Sequence, residues 1–401
     1  MKQIDRRKFL KTAALTAATT AAAPLLADRK STAAEDYKAL ICIALEGGAD
    51  TLNMVLPKHD PTEYRNYVRT RPGTAHAHHR IRTLRGNAYG LHPQMTHMQR
   101  LFNYGNMAIV ANVGTLKRSY TQKEIIRAKT VQDLQDSPEQ LFEHISQRDL
   151  WMMSGDTQKG WAARLADQLG YDLVNISVGG ENSLQYGSNT EKRIAHDDIF
   201  GTDPMMQQVR RAPVDTWFET DDETQTALGT QLQMVLDLIE HRHKAPFPRR
   251  QIYFVSDGGW DIHDATPQEV AKHFDRKVAR LDHAIGHFFS ALEHLGLEKK
   301  VTTFTLSEFG RTVTDSGSRH GWGGHAFVTG GAVKSGIYGK MPKLSPDTPD
   351  ALADGTIIPT MPVEHYFAPL VTWLTDGKVK ANNIFPNLSQ FDKHKQPGFI
   401  V

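Results

Sequence analysis

The stretch from residue 301 to 331 constrains this chain most. A short run rich in β-formers, Val301-Thr302-Thr303-Phe304-Thr305-Leu306, breaks into the polar segment Ser307-Glu308-Phe309-Gly310-Arg311-Thr312. A loop carrying His320-Gly321-Trp322-Gly323-Gly324-His325 follows, and then a second apolar run, Ala326-Phe327-Val328-Thr329. A strand that ends in a carboxylate and leads to two histidines among glycines is a common way for α/β proteins to present metal ligands. In open parallel sheets, ligands bind at the carboxyl ends of the strands.

Other strand ends carry matching chemistry. Residues 37–45 form a continuous apolar run with β-branched members, the signature of a buried central strand. It ends in Glu46-Gly47-Gly48-Ala49-Asp50-Thr51-Leu52-Asn53, where the glycines permit a tight turn and close backbone approach. Residues 251–256 make another strand, followed by Asp257-Gly258-Gly259-Trp260-Asp261-Ile262-His263. An Asp and a His two apart at a strand end point to the same side. Residues 107–113 and 173–178 read as further buried strands.

Between these runs, helical spacing predicts helices over 93–104, 160–169, 227–243, 270–295 and 364–374, with 121–150 polar and mostly helical. The methionines Met95 and Met98 fall on the core side of their helix. Residues 76–80 read as a solvated, His-rich loop, and 181–225 as a polar and acidic surface excursion or lid. Phe385-Pro386-Asn387-Leu388 reads as a docking segment near the end. The alternation of strand, loop and helix predicts an α/β fold: a doubly wound, mainly parallel sheet with helices on both faces, five or six core strands and a single domain over 35–401.

Residues 1–34 are set aside as a targeting segment. Asp5-Arg6-Arg7-Lys8-Phe9-Leu10-Lys11 matches the twin-arginine export signal, and the Ala/Thr-rich stretch 12–23 is too short and too weakly apolar to remain as a stable membrane span. Small residues at Ser31, Ala33 and Ala34, or alternatively at Ala27, offer a cleavage site. The expected partner during export is the twin-arginine translocation machinery, and the expected location is periplasmic. The one cysteine, Cys42, lies inside an apolar run and forms no intramolecular disulfide, which suits a protein that folds before export. A formal net charge of +2 in 401 residues supplies no basic field for nucleic acid, and no basic patch is interleaved with aromatics.

Asp50, Asp261 with His263, and Glu308 would then stand at three strand ends, with His320 and His325 on the following loop. Three carboxylates at one rim repel unless something positive sits among them. Arg311 could serve, but the histidines favour a cation. Carboxylate and imidazole together suit zinc, manganese or iron better than calcium, and one or two such ions can bind a transferring phosphoryl or sulfuryl group. The competing structural readings are a helix cap at Asp261, an ion pair between Glu308 and Arg311, and a loop hydrogen bond at His320. His325, beside a strand, would support the site from behind.

Leu45-Glu46-Gly47-Gly48-Ala49-Asp50-x-x-Asn53, Gly259-Trp260-Asp261-x-His263, Ser307-Glu308-Phe309-Gly310-Arg311-Thr312, His320-Gly321-Trp322-Gly323-Gly324-His325 and Gly330-Gly331-Ala332-Val333-Lys334 stand in an order that resembles the exported domain-of-unknown-function family fifteen-oh-one. The resemblance covers about residues 37–390. That family is grouped with the alkaline phosphatase and sulfatase superfamily, so the resemblance implies an alkaline-phosphatase-like sandwich with a metal-dependent hydrolase site. It implies Asp50 as the first-strand metal ligand, Asp261, His263 and His320 as ligands of one metal, and Glu308 where the superfamily has an Asp ligand. Many members carry Ser-His where this chain has Glu143-His144, and Thr-Asp-His-Gly where it has Ser318-Arg319-His320-Gly321. A carboxylate cannot stand in for a serine alkoxide, and Ser119 or Ser146 would be the substitutes.

The expected function is a periplasmic, zinc- or manganese-dependent hydrolase of a small anionic ester, phosphate or sulfate. Asp50, Asp261, His263, Glu308 and His320 would bind metal, Arg311 would neutralise the anion, and Glu143 or His144 would assist proton transfer. The alternative is a binding or assembly protein that keeps the fold without turnover.

Overall fold

The computed structural model describes residues 36–155, 158–187, 193–194, 227–240, 242, 248–263, 266–314, 317, 319–345, 347–392 and 395–401. It divides into two units, Met1–Tyr37 and Lys38–Val401, and the second is described below. The export signal and all but a few residues of the expected lid fall outside the described residues.

The strands in chain order are β1 (Lys38–Leu45), β2 (Val55–Pro57), β3 (Arg82–Thr83), β4 (Tyr89–Leu91), β5 (Met107–Gly114), β6 (Leu173–Ser177), β7 (Arg193–Ile194), β8 (Arg250–Asp257), β9 (Val301–Leu306), β10 (Gly324–Thr329), β11 (Gly336–Tyr338) and β12 (Met361–Pro362). The helices are α1 (Pro61–Thr70), α2 (Thr96–Asn103), α3 (Gln122–Arg127), α4 (His144–Met153), α5 (Trp161–Leu169), α6 (Ala227–Glu240), α7 (Pro267–His294), α8 (Val363–Leu374) and α9 (Ala381–Ile384). No helix among the described residues is long and apolar enough to cross a membrane.

Among the described residues, nine strands form the main sheet, in the order β11-β5-β10-β9-β1-β8-β6-β7 with β12 also on β5. The strand count exceeds the five or six expected because β7, β11 and β12 are two- or three-residue edge pieces with no hydrophobic pattern of their own. The sheet is mainly parallel: β1 pairs parallel with both β8 and β9, and β6 with β8. β10 runs antiparallel to β5 and β9, an inversion that composition does not encode. A separate three-stranded antiparallel sheet, β2-β4-β3, lies outside the main one.

β1 is central because its side chains have no polar alternative. Leu40, Ile41, Cys42 and Ile43 are all fully buried, and each large apolar side chain contributes about 1.5–3 kcal/mol on burial. On one face, α5 and α8 pack Trp161, Tyr366 and Phe367 against Phe304 of β9. The Phe385 segment docks into this same cluster, as expected. Met95 and Met98 are likewise fully buried.

Two stretches depart in part from expectation for local reasons. Residues 121–150 are helical over about half their length, in α3, a 3-10 turn at Val131–Asp133 and the start of α4. There the Asp133 carboxylate accepts the backbone N–H groups of Lys129 and Thr130, so a side chain takes the donors a helix would have used. In the His-rich loop, residues 77–80 reach solvent as expected, but His76 is buried against His92.

α8 begins with a carboxylate in the core. Glu364 is 2% exposed and accepts a hydrogen bond from Ser154 Oγ at 3.1 Å. Burial pushes its carboxyl up to about 7, opposed by hydrogen bonds from Ser154 and Asn387 and by the charge of Arg164. A folded-state pKa above the unfolded value means that this stability is fully present below pH of about 4.5 and is lost as pH rises through about 7. Glu364→Gln, which mimics the protonated acid, is therefore expected to stabilise the protein at pH 8 by on the order of 2–3 kcal/mol and to change little at pH 5. Urea unfolding midpoints at the two pH values measure this, and equal effects at both would rule out an ionisation cost at Glu364.

Candidate metal centre

The carboxyl ends of β9, β1 and β8 lie side by side, because Leu306 pairs with Ala44 and Leu45 with Asp257. The register continues beyond the strands: Glu46 N–H donates to Asp257 O, and Trp260 N–H returns a hydrogen bond to Glu46 O. Gly47 then turns with φ +114°, where a Cβ would lie 2.4 Å from Asp261 N. Only glycine lets the two strand-end loops meet this closely.

Arg311 holds the crossing together. Its side chain is nearly inaccessible, and its guanidinium donates to Gly48 O (2.6 Å), Gly47 O (2.6 Å), Trp260 O (3.1 Å) and Asp261 Oδ1 (2.8 Å). Arg311 therefore faces backbone carbonyls and Asp261 from within, and is not presented to an incoming anion as expected. Although burial opposes ionisation, the Arg311 hydrogen bond and charge hold the Asp261 carboxyl down at about 2.

Asp261 is the meeting point of three histidines. His320 is placed by an antiparallel bridge between residues 311 and 320, and its Nδ1 lies 2.9 Å from the Phe142 carbonyl oxygen. A carbonyl only accepts, so Nδ1 carries the proton and Nε2 turns a lone pair to Asp261 Oδ1 at 3.2 Å. His144, the first residue of α4, has Nδ1 2.9 Å from Glu308 Oε1, so its Nε2 turns toward Asp261 Oδ2 at 3.5 Å. His263 Nε2 lies 2.9 Å from that same oxygen. Phe309 packs beneath, with its ring 4.4 Å from that of His320 and 4.9 Å from that of His144.

In their neutral forms, His144 and His320 direct lone pairs at an ionised carboxylate that has no proton to donate to them. A divalent cation resolves this conflict, and ligating atoms of His144, Asp261 and His320 do lie within 4.8 Å of one another. Both histidines also have the far nitrogen bound to a carboxylate or a carbonyl, the arrangement that fixes ligand tautomers in metal sites. The donor set of two imidazoles and one carboxylate fits zinc, iron or manganese.

The remaining expected residues stand differently. Glu308 is buried, and its Oε1 accepts from both His144 and Gly47 N–H (2.7 Å), so it orients His144. Asp50 forms a two-pronged pair with Arg71, at 3.1 and 3.0 Å, on an almost fully buried guanidinium. It lies outside the ligand group at Asp261. Glu143 caps α4 by accepting from Ile145 and Ser146 N–H. Ser146 Oγ donates to Gln140, and Ser307 Oγ bridges Ala49 N–H and Leu45 O, so neither is poised beside Asp261. His325 is a core residue: it is fully buried, which pulls its imidazole down to about 3, and its Nδ1 accepts from Asn112 N–H. Sequence reasoning missed Arg148, one helical turn beyond His144. It pairs with Glu46 and lines a pocket of about 290 Å³ with Asn182, Ser183 and Tyr186. Its spacing of four residues from His144 on a helix was the available signal.

Arg311→Ala is expected to lower the unfolding free energy by about 3 kcal/mol or more, because it strands three carbonyls in the crossing. Asp261→Asn is expected to cost less than about 1 kcal/mol, since the carboxylate is partly exposed. Equal losses in urea unfolding would reduce Arg311 to a simple ion-pair partner.

A search of curated protein sequences finds no match. Solved structures similar to this chain include the lipoteichoic acid synthase LtaP from Listeria monocytogenes, at 9% identity and TM-score 0.37, covering 80% of this chain and 74% of that one. The C-terminal periplasmic domain of EcEptC from Escherichia coli, in complex with Zn, shows 13% identity and TM-score 0.36 over 74% of this chain and 73% of that one. A protein in the alkaline phosphatase superfamily from Vibrio parahaemolyticus shows 11% identity and TM-score 0.37 over 77% and 64%. These likenesses are distant. Residues 222–360, which hold Asp261, His263, Glu308, Arg311 and His320, match the model of the family described as "Protein of unknown function (DUF1501)".

Proposed function

We propose that this chain is an exported, periplasmic hydrolase of a phosphate or sulfate ester that depends on a divalent metal. The observation that carries the reading is the convergence of His144 Nε2 and His320 Nε2 on the Asp261 carboxylate, each with its other nitrogen already engaged as a donor. His144, His320 and Asp261 would hold the ion. It would supply positive charge to stabilise the negative charge that builds on the ester's oxygens.

The chain's own groups divide the remaining work. Glu308 keeps the proton of His144 on Nδ1, and the Phe142 carbonyl does the same for His320. His263, the most exposed of the three imidazoles, holds or releases a proton at Nε2, within reach of a water on the Asp261 side. Arg148 offers a guanidinium to the anionic part of a substrate entering the neighbouring pocket, where its present partner is Glu46. Residues 1–34 would direct export through the twin-arginine machinery. Asp50, with its charge already answered by Arg71, would act by holding the first strand-end loop.

A second reading, a binding protein without turnover, is favoured by one observation. Glu143, at the position where the resembled family has serine, caps a helix and offers no nucleophile. Hydrolysis of aryl phosphates, phosphodiesters and sulfates by the purified full chain, with added zinc or manganese, separates the two. Turnover is expected to fall at least ~100-fold in His320→Ala, with a smaller loss in Arg148→Ala that appears mainly in KM. Stoichiometric metal with no turnover on any ester would leave the binding protein.

A further inference from the structure

α2 and α7 bring a second histidine cluster together, on residues that the centre at Asp261 does not use. His97 on α2 and His283 and His287 on α7 each offer a ring nitrogen within 4.8 Å of the other two. His283 and His287 are one helical turn apart, with Nε2 facing Nε2 at 3.1 Å. Two neutral imidazoles can share one proton across that gap, or both can turn lone pairs to a cation.

Three further features favour the cation. The first is the orientation of His97: its Nδ1 lies 2.9 Å from Asp282 Oδ2, so the proton sits on Nδ1 and Nε2 is the ligating atom. Asp282 is itself buried and rigid, because its oxygens also accept the backbone N–H groups of His97 and Met98. A carboxylate that fixes the tautomer of a histidine is the usual support of a zinc ligand. The second is Gly286, in the interior of the 28-residue helix α7. Glycine destabilises a helix interior, yet here a Cβ would lie 2.4 Å from His97 Cβ. The missing side chain is what lets His97 lie against α7 between His283 and His287. The third is spacing. Tetrahedral zinc holds its nitrogens about 3.3 Å apart, close to the His283–His287 distance, so only small ring rotations close the set.

We propose that His97, His283 and His287 form a second metal site that takes a zinc-type cation and clamps α2 to α7. The all-imidazole set selects zinc, copper or nickel over magnesium, calcium and manganese. Asp282 is its positioning residue. All three ligands are partly exposed, so the ion enters from solvent without opening the core.

Residue-resolved histidine modification by diethyl pyrocarbonate tests this in the full chain, stripped of metal and then titrated with zinc chloride alone. Micromolar zinc is expected to slow modification of His97, His283 and His287 together by at least ~10-fold and to raise the thermal midpoint. In His283→Gln, protection of His97 and His287 is expected to disappear while that of His144 and His320 persists. Circular dichroism of the metal-free variant should match that of the parent, since His283 is partly exposed. Unchanged modification of the three residues at ~100 µM zinc, some two orders above the affinity expected of such a site, overturns the proposal. Protection of one histidine without the other two also overturns it. Because His144 and His320 are read separately, a failure here and a failure at Asp261 cannot be confused.

Discussion

The geometry of the Asp261 centre depends on one buried cation. The Arg311 guanidinium gathers the carbonyls of Gly47, Gly48 and Trp260. In the preceding peptide, the Glu46 carbonyl accepts from Trp260 N–H and the Gly47 N–H points to Glu308. Glu308 in turn fixes His144. A single side chain thereby gathers the two strand-end loops beside which Glu308 fixes His144. A buried guanidinium can do this because its donors are planar and fixed, and because it stays charged under all ordinary conditions.

The same arrangement determines the charge of the centre. Arg311 balances the Asp261 carboxylate from within, so the carboxylate remains ionised while its second oxygen faces outward to His144 and His263. Under the proposed function, anion recognition would fall to Arg148 on α4, whose present partner is the partly exposed Glu46.

The long core strands were legible because parallel strands buried on both faces read as continuous apolar runs. β1, β5, β6, β8 and β9 all match their sequence runs to within a residue or two. The direction of β10 was not legible, because an antiparallel strand covered on both sides has the same composition as a parallel one. Asp261, His263, Glu308 and His320 could be found because strand ends mark them. Asp50 carried the same mark, but its partner Arg71 stands at the end of α1 with nothing in the sequence to announce a buried arginine. His144 was reached only through family resemblance: it begins a helix 164 residues from Glu308, and no local period links the two.

Three clusters among the described residues bring histidines and carboxylates together, and proton position separates them. At Asp261 and at His97, a carboxylate or carbonyl holds the proton of a histidine on Nδ1 and frees Nε2. The third cluster, His76, His92 and Asp275, is the most deeply buried and would pass for the best metal site on composition alone. There His92 Nδ1 accepts a hydrogen bond from Gln94 N–H, which puts its proton on Nε2, yet Nε2 and Asp275 Oδ1, 3.0 Å apart, do not meet in hydrogen-bond geometry. Burial keeps His92 neutral and pulls His76 down to about 4, so neither contributes a positive charge at neutral pH. A backbone amide two residues away takes one nitrogen of His92, while Nε2 of both histidines and Oδ1 of Asp275 are left unsatisfied in the core.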